Sequence, residues 1–232
     1  MMNHVTDAET TNSTWKTLYK VGGTAALITA VFIPIQIIVF IVSPPPSSVT
    51  DWFALFQRNP LLGLLDMDLL LVTDNVLAIP IFLAFYIALR RASRSIMTIA
   101  ASLAFIGIAA YFASNTAFNM LSLSNQYVAA ITEAQRSMLL AAGQAMLANY
   151  TGTAFQLSYV LGAVALITIS VVMLRSNIFG KVTAYLGIAA NVIALGLYVP
   201  TIGVYISIFS VLFLWVWYIL IARKLFQLGQ PR

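Results

Sequence analysis

Apolar runs recur along the chain at 21–42, 69–89, 96–118, 153–174, 182–199 and 203–222. Each is close to the roughly 20 residues that an α-helix needs to cross a hydrocarbon core about 30 Å thick. The pattern predicts an all-α fold, a polytopic membrane bundle of six transmembrane helices. Only Pro200, Thr201 and Ile202 separate the last two runs. A single helix through them would exceed any bilayer thickness and would carry a proline in its interior, so they are expected to form a tight helical hairpin.

Two segments between the runs mix polar and apolar residues. Residues 43–48 (SPPPSS) stop a helix, and 49–59 then set Trp52, Phe53, Leu55 and Phe56 beside Asp51, Gln57 and Arg58. That mixture predicts a short amphipathic helix lying at the headgroups. In 126–150, Ile131, Ala134, Met138, Ala142 and Ala145 recur at helical spacing, with Glu133, Arg136 and Gln144 on other faces. A longer amphipathic helix on the outer side is expected there. A seventh span would take Glu133 and Arg136 into hydrocarbon, at about 2.5–3.5 kcal/mol each near the centre, and would reverse the charge pattern downstream.

Composition removes the soluble alternative: of 232 residues, 61% are hydrophobic and 8% charged, against about 25% charged in an ordinary soluble domain. Basic residues are dispersed in short clusters beside the apolar runs, which marks topology and argues against a nucleic-acid partner. Placing Lys16, Lys20, Arg90, Arg91, Arg94, Arg175, Lys181, Arg223, Lys224 and Arg232 inside leaves only Arg58 and Arg136 outside. Ten against two is the asymmetry of a cell-membrane protein with both termini in the cytoplasm. The expected organisation is a cytoplasmic tail at 1–20, one six-helix domain at 21–225 and a cytoplasmic tail at 226–232. The first run starts late, is long and lacks a small-residue cleavage site, so it reads as an uncleaved anchor.

There is no cysteine, and the only histidine, His4, lies in the polar N-terminal tail. Thiolate ligands, redox pairs and serine–histidine chemistry therefore lack their usual donors, and no metal or cofactor is expected. No Walker loop, GxSxG elbow or HExxH occurs. A non-enzymatic protein is expected.

The second predicted helix, counted from just before its apolar run, holds the densest polar cluster: Asp66, Asp68, Thr73, Asp74 and Asn75. Asp66 and Asp68 are read as lying in the outer interface, where carboxylates reach hydrated headgroups. Asp74 falls about five residues inside the run, too deep for its short side chain to snorkel, and should face protein or a wet cavity. Gln36, Asn115 and Gln156 fall in the same outer half, and Asn191 nearer the middle of its span. Asp74, Asn75, Gln36, Asn115, Gln156 and Asn191 are thus the candidate lining of an outward-facing ligand cavity. The competing reading is that these groups only hydrogen-bond helix to helix. Small residues at Ala109, Ala113 and Ala117, and at Ala154, Ser158 and Gly162, predict close helix approach. Trp215, Trp217 and Tyr218 are expected in an interfacial belt.

Residues 18–27 (LYKVGGTAAL), 127–146 (YVAAITEAQRSMLLAAGQAM), 174–186 (LRSNIFGKVTAYL) and 217–229 (WYILIARKLFQLG) carry a resemblance. The chain resembles a prokaryotic family of six-pass membrane proteins catalogued only as a domain of unknown function. The proline usual in that family's fourth inter-helix loop is missing from 177–181, which reads NIFGK. The resemblance implies a prokaryotic plasma-membrane protein and supplies no catalytic residues. Two functions stand open. One is binding or carriage of a small polar or amphiphilic ligand, a lipid included. The other is a non-catalytic accessory or structural subunit with a membrane protein partner.

Overall fold

A computed structural model describes residues 14–230. His4, Asn12 and Arg232 lie outside the described residues. Those described are all helical, and six helices or near-continuous helix pairs are long and apolar enough to cross a membrane. The elements are α1 (Lys16–Val42), α2 (Val49–Arg58), α3 (Pro60–Asp66), α4 (Leu69–Leu89), α5 (Arg94–Ser114), α6 (Ala117–Ala129), α7 (Glu133–Tyr150), α8 (Thr153–Leu174), α9 (Lys181–Ala194) and α10 (Gly203–Gly229). The membrane helix bundle expected from the apolar runs is the fold observed.

The chain forms two compact units. The first takes Met1–Ile33, Val76–Ile106 and Val160–Arg232, and the second takes Pro34–Asn75 and Gly107–Tyr159. In the first unit α9 and α10 pair through a one-turn 3-10 helix, Leu195–Tyr198, and a turn in which Thr201 has φ 70° and the Gly203 amide donates to Val199 O at 2.9 Å. This is the expected tight hairpin. Its core differs from expectation at the tryptophans. Trp217 is fully buried, with Phe85 at 5.7 Å between ring centroids, and Trp215 Nε1 donates to Ala30 O at 2.8 Å. Trp217 does not serve an interfacial belt, because α4 offers it an apolar partner inside the protein, whereas Trp215 stays exposed while its Nε1 bonds α1.

Of the expected small-residue rows only Ala117 is buried, in a cluster with Trp52 and Phe53, and the tightest helix approaches come from glycines outside those rows. Nothing lies within 4 Å of a Cβ built at Gly162, and Ala109 and Ala113 are exposed. A Cβ at Gly22 would instead meet Pro80 O and Ala84 Cβ at 3.1 Å, bringing α1 against α4. One at Gly187 would collide with Ser170 Oγ and Trp217 Nε1, where α9 is wedged between α8 and α10.

The second unit corrects the expected helix at 126–150. Residues 126–129 close α6, and α7 starts at Glu133. Thr132 and Gln135 form a capping box: Thr132 Oγ1 accepts from the Gln135 amide at 3.2 Å, and Gln135 Oε1 accepts from the Thr132 amide at 3.2 Å. Those bonds satisfy two amides that a helix start leaves without partners, so the helix begins there and α6 and α7 become an antiparallel pair. The short helix expected after Ser48 is present as α2, capped by Ser48. Its aromatic face turns to protein rather than headgroups. Trp52, Phe53 and Phe56 are buried with Ala117, Met120 and Met67, and Leu140, Met146 and Leu147 pack against them. The α6–α7 pair supplies the apolar surface that the headgroup placement lacked.

The glycine contacts generate a stability prediction. Gly187→Ala overpacks the α8–α9–α10 contact, and Gly143→Ala drives a methyl into Val49 Cγ1, 2.5 Å from the built Cβ. Each should cost about 1–3 kcal/mol, read as a lower thermal midpoint in one detergent. Gly162→Ala should be neutral.

Candidate functional site

Three helix breaks organise the second unit, and each leaves backbone groups that no helix satisfies. The first separates α3 from α4 at Met67 and Asp68, with Asp68 in the left-handed region at φ 64°, a conformation that aspartate tolerates better than most residues. Gln36 Nε2 donates to Leu65 O at 3.2 Å and Asn115 Nδ2 to Met67 O at 3.0 Å. The second break lies at Asn115 and Thr116. There Asn115 Oδ1 accepts from the Ala117 amide at 3.2 Å, Asn149 Nδ2 donates to Ala113 O at 3.3 Å, and Thr116 Oγ1 donates to Met146 O at 3.3 Å. The third lies at Thr151 and Gly152, one residue beyond Tyr150, whose hydroxyl donates to Asp68 Oδ2. The first break is therefore closed by Gln36 and by Asn115 of the second, and the second by Asn115 itself and by Asn149, close to the third.

Two carboxyls sit inside this arrangement. Asp66 is 1% exposed: its Oδ2 accepts from Ser43 Oγ at 2.7 Å, and its Oδ1 is buried without a hydrogen-bond partner. Asp68 is 7% exposed and is held by Tyr150. Burial pushes the Asp68 carboxyl up to about 6; the Tyr150 hydrogen bond works against this, and the charge of Asp66 adds to it. Asp66 is raised too, by burial, with the Ser43 hydrogen bond opposing. The one ion pair among the described residues is Arg136 with Glu133, at 3.1 Å, so no basic side chain neutralises either acid. Tyr111, 5% exposed, stands within electrostatic reach of Asp68 and Asp74.

Of the residues proposed from sequence to line a cavity, Gln36 and Asn115 do meet, at the α3–α4 break. Asn75 Nδ2 donates to its own helix at Leu71 O, at 2.9 Å, and Gln156 Nε2 to Thr151 O at 3.1 Å. Asp74 is half-buried on α4. Asn191 belongs to the first unit, where it donates to Gly187 O at 2.8 Å. Asp66 and Asp68, read as reaching hydrated headgroups, are instead the most buried of the described carboxyl residues, and Tyr150 and Ser43 join them unforeseen. A signal for this was present. Asn59 accepts from the Leu62 amide and Pro60 takes the first helical position, an Asn-Pro start that places Asp66 at the end of a separate short helix.

In the same unit an open groove runs between α6 and α7. It is lined by Phe118, Leu123 and Met146 together with Asn119, Ser122 and Gln126. No family model, curated protein or solved structure matches the chain. The described residues contain no group of three carboxylate, histidine or cysteine side chains able to hold a metal. Chemically the cluster is acid-rich. It accepts protons, hydrogen-bond donors and positive charge.

Two predictions arise here. The Asp68 carboxyl is raised from 3.8 to about 6 in the folded protein, so the folded state holds its proton more tightly than the unfolded chain. Its stabilising effect is complete below about pH 3.8, and is lost as pH rises toward 6. The total is about 3 kcal/mol. Asp68→Asn, which keeps an acceptor for Tyr150, should raise the thermal midpoint at pH 7.5 and flatten its slope between pH 4 and 6. Asn115→Leu should destabilise by about 2–4 kcal/mol, because Met67 O and the Ala117 amide both lose their partner; a chemical unfolding midpoint equal to wild type would contradict this.

Proposed function

We propose that this multi-pass protein binds a small polar or amphiphilic ligand through the second unit, without catalysing a reaction, and that a protonated or hydrogen-bond-donating group of the ligand engages the buried acids. The observation that carries the reading is the pair Asp66 and Asp68, buried to 1% and 7% exposure with no basic partner among the described residues. Burying two carboxyls without a cation is costly, and asparagine would close the helix breaks without that cost. The retained acids are accounted for if they exchange a proton or receive a positive group. The groove, lined by both apolar (Phe118, Leu123, Met146) and polar (Asn119, Ser122, Gln126) side chains, suits an amphiphile.

The cell for this reading is a prokaryote, following the resemblance, and the membrane is the plasma membrane with both termini in the cytoplasm, following the basic residues. The segments 43–68 and 119–152 between the spans then face outward. A second reading, the accessory subunit, draws on the α6–α7 connection, where Ile131 is 91% exposed and Val128 and Met138 are also exposed. In that case a membrane protein partner covers the connection.

The ligand reading is tested by mass spectrometry of small molecules retained by protein purified from its own membranes. Wild type and Asp51→Asn, an exposed acid on α2, should carry the same molecule, and Asp66→Asn should lose most of it. Identical small-molecule content in wild type and Asp66→Asn ends the reading, and a stoichiometric protein partner in place of a ligand favours the subunit. For topology, cysteines introduced at Ser47 and Ser137 should react with an impermeant maleimide in intact cells. Those at Ser93 and Ser176 should react only after lysis, and labelling of Ser93 from outside would reverse the orientation.

A further inference from the structure

Charge is sorted between the units. The described carboxylates, Asp51, Asp66, Asp68, Asp74 and Glu133, all belong to the second unit, whereas the described residues of the first include nine lysines and arginines and no acid. These cations fall at one set of helix ends: where α1, α5 and α9 begin and α4, α8 and α10 finish. Contacts inside the first unit bring those ends together. The Arg90 guanidinium lies over the Trp15 ring, 5.8 Å from its centroid, and both Arg90 and Arg91 are within electrostatic reach of Tyr19. A Cβ on Gly229, the last residue of α10, would lie 3.2 Å from Lys16 O and 2.8 Å from Lys20 Cγ. Phe179, in the α8–α9 connection, packs on Phe85 in the last turns of α4 at 5.9 Å. Lys20, Arg91 and Arg223 are exposed.

We infer that this end of the first unit is a binding surface for anionic phospholipid headgroups, centred on Lys16, Lys20, Arg90 and Arg91. Like charges brought together repel one another, and no described carboxylate lies within ion-pair range of any of them. The surface needs anions from elsewhere. Its position supplies them, since the ends of membrane-crossing helices lie at the depth of the headgroup phosphates. The arginine forks match phosphate oxygens, and Trp15, half-buried under Arg90, is the type of ring that settles at that depth. A soluble anion would satisfy the charge but would gain nothing from that depth.

The full chain in nanodiscs of phosphatidylcholine alone, compared with nanodiscs in which about 30% is phosphatidylglycerol, tests the assignment. The anionic lipid should raise the thermal midpoint by several degrees, and about 0.5 M NaCl should erase most of the gain by screening. The double variant Arg90→Gln/Arg91→Gln should lose at least half of it, while Arg58→Gln/Arg136→Gln, in the second unit, should keep it. Inorganic phosphate added to phosphatidylcholine nanodiscs should not reproduce it. Should the first pair fail to fold, Lys16→Gln/Lys20→Gln takes its place. Equal midpoints in the two nanodiscs, an equal gain from inorganic phosphate, or equal losses in the two double variants would overturn the inference. It stands apart from the ligand reading, which none of these outcomes touches.

Discussion

A helix that stops must find partners for its last carbonyls and the next helix's first amides, and in the second unit this happens three times: at the buried Met67 and Asp68, at the part-buried Asn115 and buried Thr116, and at the exposed Thr151. An unpaired buried backbone group costs about 1–3 kcal/mol, so the first two breaks, left unsupported, would consume much of a domain's stability. The solution is mutual. Asn115 stands at one break and uses its amide nitrogen on Met67 O of another and its amide oxygen on the start of its own next helix. Asn149 and Thr116 tie α7 to the second break through backbone carbonyls, and Tyr150 reaches the first through the Asp68 carboxylate. The apolar core of Trp52, Phe53, Phe56 and Met120 then packs α2 on α6 and α7, and the hydrogen bonds decide where those helices end.

The buried acids follow from the same arrangement. Ending α3 at Asp66 and turning the chain through Asp68 at φ 64° leaves both side chains among the elements that close the break. Ser43 and Tyr150 each give one hydrogen bond, fewer than two carboxylates accept, and Asp66 Oδ1 keeps none. A scaffold that needs polar groups for its backbone has here acquired two that it does not fully satisfy. That surplus is the observation on which the proposed ligand reading rests.

The spans were legible because a bilayer imposes one simple rule, about 20 apolar residues per crossing, and 21–42, 69–89 and 203–222 obey it openly. The Pro200 turn was legible for a similar reason. The polar residues were harder to read, because depth and face were inferred as if each run were one straight helix. Asp66 and Asp68 lie next to the run at 69–89 in sequence, yet belong to the end of another helix and to a turn. Angular bookkeeping along a single helix does not apply to them. Asn75 and Asn191 had the right depth for a cavity, but their amides bond the carbonyl four residues back, a local option that spacing does not reveal. Trp217 looked interfacial from its place near the helix end; its burial against Phe85 depends on how α4 packs. The capping box at Thr132 and Gln135 was readable and would have split the segment 126–150 correctly.

If the three breaks hold one another, removing the link between two of them should expose a coupling that neither side chain has alone. A double-mutant cycle of Tyr150→Phe and Asp68→Ala, by chemical unfolding of the full chain in one detergent at pH 7.5, measures it directly. The account predicts that the double variant is less destabilised than the sum of the two single variants, with an interaction energy of about 1 kcal/mol or more. Strict additivity would mean that Tyr150 and Asp68 contribute independently, and the mutual closure of the helix breaks would not stand.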